Sequence, residues 1–159
     1  MKTCKIGILA AFLASFTLIP KAVQEVDLEQ LQKHTQKDND TLYVVNYWAT
    51  WCRPCVAEMP YFFASAQKFK HQKVKVLFVS LNSAKEIGKV EKFAADKKIE
   101  QPVFLLNAGN PNVWIDKVEP SWGGSIPATI MYRKKEKVFF REGEFTQNEL
   151  DSVIHLKLK

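Results

Sequence analysis

The chain of 159 residues is predicted to be an α/β protein with a central mixed β-sheet and helices on both faces. Two observations predict this class. Strand-like apolar runs alternate with segments of helical periodicity, which is typical of parallel βαβ units. Near the C-terminal end, two strand-like runs follow each other directly, which indicates an antiparallel hairpin. The apolar content of 47% and the charged content of 25% are ordinary for one soluble domain.

The first 22 residues differ from the rest of the chain. Lys2 and Lys5 precede an apolar run over residues 6–19, which is the pattern of an export signal. The run is shorter than the roughly 20 residues of a membrane span. An uncleaved N-terminal anchor stays an alternative. We therefore expect residues 1–22 to be an export signal or anchor, and residues 23–159 to form the folded domain.

The first half of that domain is predicted to alternate helix and strand. Residues 26–37 form a short amphipathic helix, and residues 42–49 form a strand that is apolar almost throughout. Such a strand suits the centre of a parallel sheet, where both faces are covered. A helix over 52–70 and a second buried strand over 74–81 complete a βαβ unit with the usual right-handed crossover.

The second half of the domain is predicted to end in the hairpin and a last helix. Thr146 and Glu149 form a capping box that opens this helix. The predicted elements are a helix over 85–98, a short strand over 102–106, an irregular segment over 107–124 with one helical turn near 113–118, hairpin strands over 128–133 and 137–141, and the last helix up to 158.

The most informative motif is Cys52-Arg53-Pro54-Cys55, at the predicted junction of strand and helix. A cysteine at a helix N-terminus meets unpaired N–H groups and the positive end of the helix dipole, and both favour the thiolate. Cys55 lies one turn further on and can reach the sulfur of Cys52. This pattern predicts a reversible dithiol/disulfide switch.

Other uses of the pair fit less well. A zinc site needs two more ligands, but the remaining cysteine, Cys4, and the three histidines are scattered. A c-type haem site needs histidine at position 56, where the chain has valine. A purely structural disulfide would close too small a loop to constrain the unfolded chain much. A copper-binding module stays an alternative because thiolates bind Cu(I). We expect no metal and no cofactor.

The basic character of the chain is partly due to the export segment. The formal net charge is +6, and Lys2, Lys5 and Lys21 all precede the folded domain. The other basic runs, at 70–75 and 133–135, are interpreted as solvated turns and helix ends. No recognition motif accompanies them, so nucleic acid is not an expected partner.

Glu58 is the third candidate for catalysis. It lies three residues after Cys55, so the two share one face of the predicted helix. Cys55 must face inward to reach Cys52, which would carry Glu58 inward too. A buried carboxyl has a raised pKa and can exchange a proton with a thiol. The alternative is a solvated helix glutamate.

Four pieces of sequence together resemble the thioredoxin superfamily, and within it the exported TlpA/ResA-type thiol–disulfide oxidoreductases. They are residues 45–55 (VNYWATWCRPC), residues 58–60 (EMP), residues 125–129 (SIPAT) and Gly143. The resemblance implies a thioredoxin fold over nearly all of residues 42–159. Asn46 departs from the aspartate of thioredoxins proper, which points to the exported branch.

The resemblance also implies roles for single residues. Cys52 is the expected nucleophile and Cys55 the resolving thiol, with Arg53 and Pro54 tuning the pair. This family carries a glutamate at the position of Glu58. Pro127 is expected to be a cis-proline whose loop packs beside the cysteines. The backbone of Ile126 would then pair with an extended substrate. Trp51 would be an apolar substrate platform, with a plain core tryptophan as the alternative.

These observations predict an exported, periplasmic or extracytoplasmic thiol–disulfide oxidoreductase that reduces disulfides of exported proteins. The alternatives are a disulfide oxidase or isomerase, and the copper-binding module. The expected partners are protein disulfides or dithiols, with apo-cytochrome thiols of cytochrome c biogenesis among the candidates, and a membrane electron donor. The protein is expected to be a monomer.

Overall fold

The computed structural model describes residues 22–159. The predicted export segment therefore lies outside the described residues, except for Ala22. Within residues 22–159, none of the helices has the length and apolar character that a membrane span needs.

The described residues form one six-stranded mixed sheet in the order β1-β4-β3-β2-β5-β6. Strands β1 to β4 are parallel, and β5 and β6 are antiparallel to their neighbours. The predicted α/β class with a mixed sheet is confirmed. The elements are β1 Gln24–Val26, α1 Leu28–Thr35, β2 Leu42–Trp48, α2 Arg53–Lys68, β3 Val74–Ser80, α3 Ile87–Asp96, β4 Val103–Leu106, α4 Pro111–Val118, β5 Ala128–Arg133, β6 Glu136–Glu142 and α5 Gln147–Leu158.

The start of the domain differs from the prediction. Residues 24–26 form a strand that was not predicted, because they pair in parallel with Phe104–Leu106 of β4, and Val26 belongs to this strand rather than to the predicted helix over 26–37. Asp27 then accepts a hydrogen bond from the Gln30 backbone N–H and starts α1 at Leu28. The edge strand was missed because three residues give no periodicity. Similarly, the predicted single turn near 113–118 is a two-turn helix that begins at Pro111.

The core consists of two apolar layers on opposite faces of the sheet. Alternate residues of β2, which is buried throughout, contribute to different layers: Val44 and Trp48 to one, Val45 and Tyr47 to the other. The first layer lies under α2, α3 and α5. The second is closed by α1, α4 and the indoles of Trp114 and Trp122. Since β2 is central and immobilised on both faces, the loop that follows it leaves from a rigid base.

Candidate active site

Cys52 and Cys55 form a disulfide at the N-terminus of α2, with 2.00 Å between the sulfurs. Cys52 is the N-cap of the helix, and its Sγ accepts the backbone N–H of Cys55 at 3.3 Å. Pro54 lies in the first turn, where its missing N–H is not needed. The first sulfur therefore lies where the unpaired N–H groups of the helix are concentrated.

The two cysteines differ in access. Cys52 is 6% exposed, whereas Cys55 is completely buried. Trp51, directly before the pair, is 66% exposed, so the alternative of a core tryptophan is wrong. Arg53 is also exposed. Of the two cysteines, only Cys52 has any surface that a partner could contact. A partner that approached it would also contact the indole of Trp51 and the positive charge of Arg53.

The loop before β5 packs against the cysteines. The Ile126–Pro127 peptide bond is cis, as the resemblance implied. The carbonyl oxygen of Ile126 lies 3.6 Å from Cys52 Sγ. Gly143 donates its N–H to the Pro127 carbonyl at 2.8 Å and has a φ of 106°, a left-handed conformation that favours glycine. Residues that are 74 positions apart in sequence thus meet at one point.

Glu142, at the end of β6, holds this loop in place. Its carboxylate accepts the backbone N–H groups of Gly123 at 2.9 Å and Ser125 at 2.8 Å. The same two donors hold the pKa of Glu142 below its ordinary value. A Cβ at position 123 would lie 3.3 Å from the Glu142 carboxylate, so the absence of a side chain there permits the close approach. No sequence pattern could have singled out Glu142, because its partners are at least 17 residues away.

Glu58 is buried, as its place on the Cys55 face of α2 predicted. Only 1% of it is exposed. Its two oxygens each accept one hydrogen bond at 2.8 Å, one from Asn46 Nδ2 and one from the backbone N–H of Phe145. Burial raises the pKa of Glu58 to about 7 and outweighs these two donors, which favour the charged form. The carboxyl can therefore gain or lose a proton near neutral pH.

The side chain of Asn46 matches both charge states of Glu58. Its Nδ2 donates to the carboxylate and also lies 3.3 Å from Thr129 Oγ1. Its Oδ1 is buried and has no partner among the described residues. Rotating the amide by about 180° would present this acceptor to a protonated Glu58. An aspartate could not do this, and its charge would oppose ionisation of Glu58.

Asn82 fixes the loop that carries Trp51. Its Oδ1 accepts the Thr50 backbone N–H and the Ser80 hydroxyl, both at 2.9 Å. Its Nδ2 donates to Thr50 Oγ1 at 2.8 Å and to Glu86 Oε2 at 3.2 Å. One buried amide therefore ties the loop after β2 to the loop after β3. Asn82 was missed in the sequence, where a lone asparagine after a strand resembles an ordinary turn residue.

We expect Asn82→Ala to lower the free energy of unfolding by about 1–3 kcal/mol, because the half-buried Thr50 N–H and the buried Ser80 hydroxyl would both lose their acceptor. Urea unfolding measured by circular dichroism checks this. Asn107→Ala is the matched control, since Asn107 makes an exposed hydrogen bond to Glu25 and should cost less than about 0.5 kcal/mol. Equal losses in the two variants would show that the hydrogen bonds of Asn82 contribute no more to stability than an exposed one.

A groove of about 500 Å³ lies next to the disulfide. Trp51 and Ile126 line its end at the cysteines. The groove has apolar walls and one polar side. The apolar lining includes Leu81, Leu106, Trp114 and Ile115, and the polar lining includes Asn82, Ser83 and Lys85.

The described part of the chain contains no group of three or more His, Cys, Asp or Glu side chains that could hold a metal ion. Apart from the two cysteines themselves, the site thus offers no ligand cluster. The groups that the site does bring together are the two sulfurs, the carboxyl of Glu58 and the loop around Pro127.

Comparison with known proteins gives a consistent result. The model of the AhpC/TSA family matches residues 11–141. The thiol-disulfide oxidoreductase ResA of Geobacillus thermodenitrificans is 33% identical over 95 residues, which are 59% of this chain and 49% of that protein. The chain therefore spans about half the length of this relative.

Solved structures share the fold. A thiol:disulfide interchange protein of the thioredoxin family from Chlorobium tepidum is 19% identical, with a TM-score of 0.63 over 76% of this chain and 82% of that one. A secreted disulfide oxidoreductase of Mycobacterium tuberculosis, homologous to E. coli DsbE, is 20% identical, with a TM-score of 0.57 over 75% and 84% of the two chains. The architecture is thus the thioredoxin fold, as the resemblance implied.

Proposed function

Because the chain belongs to the AhpC/TSA family, we propose that it is a thiol–disulfide oxidoreductase that works through Cys52 and Cys55. One observation carries the proposal: Cys52, at a helix N-terminus and with some exposed surface, is bonded to the completely buried Cys55 and packed against the carbonyl of Ile126. A structural disulfide would have no need of this asymmetry. The name of the ResA relative agrees with the assignment.

The geometry supports a two-step exchange. The Cys52 thiolate attacks one sulfur of a substrate disulfide, forms a mixed disulfide, and releases the other substrate sulfur as a thiolate that takes up a proton. The Cys55 thiolate then attacks Cys52 Sγ, forms the Cys52–Cys55 bond, and releases the second substrate thiol. Two electrons pass to the substrate. The reverse sequence oxidises a dithiol.

Glu58 is proposed to accept the proton that Cys55 must lose before it attacks. The two residues are three positions apart in α2, where side chains lie about 5–6 Å apart at Cβ. Both are buried, so water is a poor proton acceptor there. With a pKa of about 7, Glu58 can accept this proton and release it again at neutral pH.

Substrate binding is proposed to involve Trp51, Ile126 and Pro127. The backbone of Ile126 lies beside Cys52 and would pair with an extended segment, as in strand addition. The indole of Trp51 offers apolar contact to the residue next to the substrate cysteine. Arg53, exposed beside Cys52, would favour the thiolate and so make the couple more oxidising, and Pro54 would fix the first turn.

We place the protein outside the cytoplasm, with reduction of exported disulfides as its task and a membrane protein as its electron donor. The N-terminal residues 1–22 support export, and one structural neighbour is described as secreted. An oxidising compartment would otherwise keep the pair as a disulfide. Thiols of apo-cytochromes are one client class that fits a reductant in this compartment.

The direction of electron flow is tested by the reduction potential of the pair. The full chain with Cys4→Ser, which leaves only Cys52 and Cys55, is equilibrated with glutathione buffers, and the thiols are counted by mass spectrometry. We expect a potential more negative than about −220 mV, which suits a reductant. A value near about −120 mV would indicate an oxidase. Failure to exchange with glutathione at all would contradict the proposed function.

A further inference from the structure

Positive charge is concentrated at the end of the domain opposite the disulfide. This basic end consists of residues 36–41, 69–75 and 133–136 and the last turn of α5, which Arg133 contacts by donating to the Lys157 carbonyl at 3.0 Å. It contains eight basic residues, Lys37, Lys70, Lys73, Lys75, Arg133, Lys134, Lys135 and Lys157, against three acidic ones, Asp38, Asp40 and Glu136.

The remaining surface has the opposite balance. The chain has 23 Lys and Arg, of which Lys2, Lys5 and Lys21 precede Ala22, and 17 Asp and Glu, none of which does. Outside the basic end, residues 22–159 therefore carry 12 basic and 14 acidic side chains. The basic end thus carries all of the domain's net positive charge, although its runs look unremarkable in the sequence.

The hairpin turn has lysines at two positions whose backbone conformation favours other residues. Lys134 and Lys135 have φ angles of 52° and 67°, the left-handed conformation in which hairpins favour Asn-Gly. Both side chains extend into solvent, with 65% and 61% of their surface exposed. Two lysines are therefore held at an unfavourable backbone conformation, at a place where they make only loose ion pairs with Asp40 and Asp38 at 3.3 and 3.5 Å.

The N-terminal segment joins the domain beside the basic end. Ala22 lines a cleft together with Lys37 and Lys75. The chain before it carries the apolar run over residues 6–19. A single apolar segment of this kind binds membranes more firmly when a basic surface lies next to it, because anionic lipids attract the cations within about 10 Å.

We propose that the basic end lies against an anionic phospholipid surface. Cys52 follows the opposite end of β2, which has seven residues and therefore spans about 20–25 Å. In this orientation the disulfide and its groove face away from the bilayer, toward soluble clients. The interaction needs only the charges of the basic end and does not depend on the redox activity.

The proposal is tested by binding of the full chain to vesicles of phosphatidylcholine, with and without about 30% phosphatidylglycerol. The variant Lys134→Asn/Lys135→Gly gives the turn its preferred residues, so it should unfold at the same or a higher temperature. Phosphatidylglycerol should raise the affinity of the wild type for the vesicles. In the variant this gain in affinity should be roughly 10- to 30-fold smaller, since each basic residue near an anionic surface contributes about fivefold. Lys70→Gln/Lys73→Gln should show a similar loss.

The control is Lys89→Gln/Lys92→Gln, which removes the same charge from the exposed side of α3. Its binding should change less than about twofold. Equal binding of the wild type to both kinds of vesicle would overturn the proposal, as would equal losses in the turn and α3 variants. Equally tight binding to duplex DNA at the same salt would show a general polyanion surface and overturn the lipid assignment.

Discussion

Replacing Cys52 by serine should abolish disulfide exchange, whereas Cys55→Ser should still form mixed disulfides but fail to resolve them. The reason is access: Cys52 is the only residue of the pair with exposed surface, at 6%, and Cys55 is completely buried. Serine is also a good N-cap, so its hydroxyl can accept the Cys55 N–H and keep α2 intact. The expected loss in Cys52→Ser is therefore a loss of chemistry, down to the uncatalysed rate.

The measurement is exchange with a protein disulfide, followed by mass spectrometry, in a Cys4→Ser background. In the reduced protein, iodoacetamide at neutral pH should label Cys52 before Cys55. The Cys4→Ser protein with both active cysteines is the control and should exchange fully. Faster labelling of Cys55, or stable mixed disulfides in Cys52→Ser, would reverse the assignment of the two roles.

Glu58→Gln should slow exchange by about 10- to 100-fold at pH 7, because a glutamine cannot accept the proton of Cys55. The fold should persist. Once the Asn46 amide has rotated by about 180°, the introduced amide can accept the Phe145 N–H with its oxygen and donate its N–H₂ to Asn46 Oδ1, which has no partner among the described residues of the wild type. Exchange rates from about pH 5 to 9 should follow an ionisation near pH 7 in the wild type and lack it in the variant.

The same group should make stability depend on pH. The unfolded carboxyl has a pKa of 4.5 and the folded one about 7, so the native state binds the extra proton between these values. The contribution of Glu58 to stability is therefore greatest below about pH 4.5 and decreases as the pH rises through 7, by about 3 kcal/mol in all. Urea unfolding of the oxidised protein should show this decrease relative to Glu58→Gln.

Glu91→Gln is the matched control, since Glu91 is exposed on α3 and its replacement should change neither the rate nor the pH dependence of stability. An identical pH dependence in the wild type and in Glu58→Gln would show that the pKa of Glu58 is the same in the folded and unfolded states, so that burial does not raise it. Normal exchange rates in Glu58→Gln would remove its proposed role as proton acceptor.

Much of the architecture follows from local pattern. The apolar run of β2, the capping box at Thr146 and the hairpin between β5 and β6 each depend on residues that are close in sequence, and all three lie where they were predicted. The inward direction of Glu58 could likewise be derived from its spacing to Cys55 on one helix. Strand β1 could not, because a three-residue strand exists only through its pairing with β4.

Patterns local in the sequence were enough to predict two thiols at a helix N-terminus and a carboxyl one turn later, and a motif implied the loop at Pro127. Local spacing suffices for the thiols and the carboxyl because helix geometry converts it directly into position, whereas the loop at Pro127 was expected only from the resemblance. The residues that fix these groups in place could be identified only from the folded structure. Asn82 and Glu142 act on residues that the fold brings near them. The basic end likewise exists only in the folded protein. Its short basic runs are far apart in sequence, and the strand ends bring them together into one positive surface.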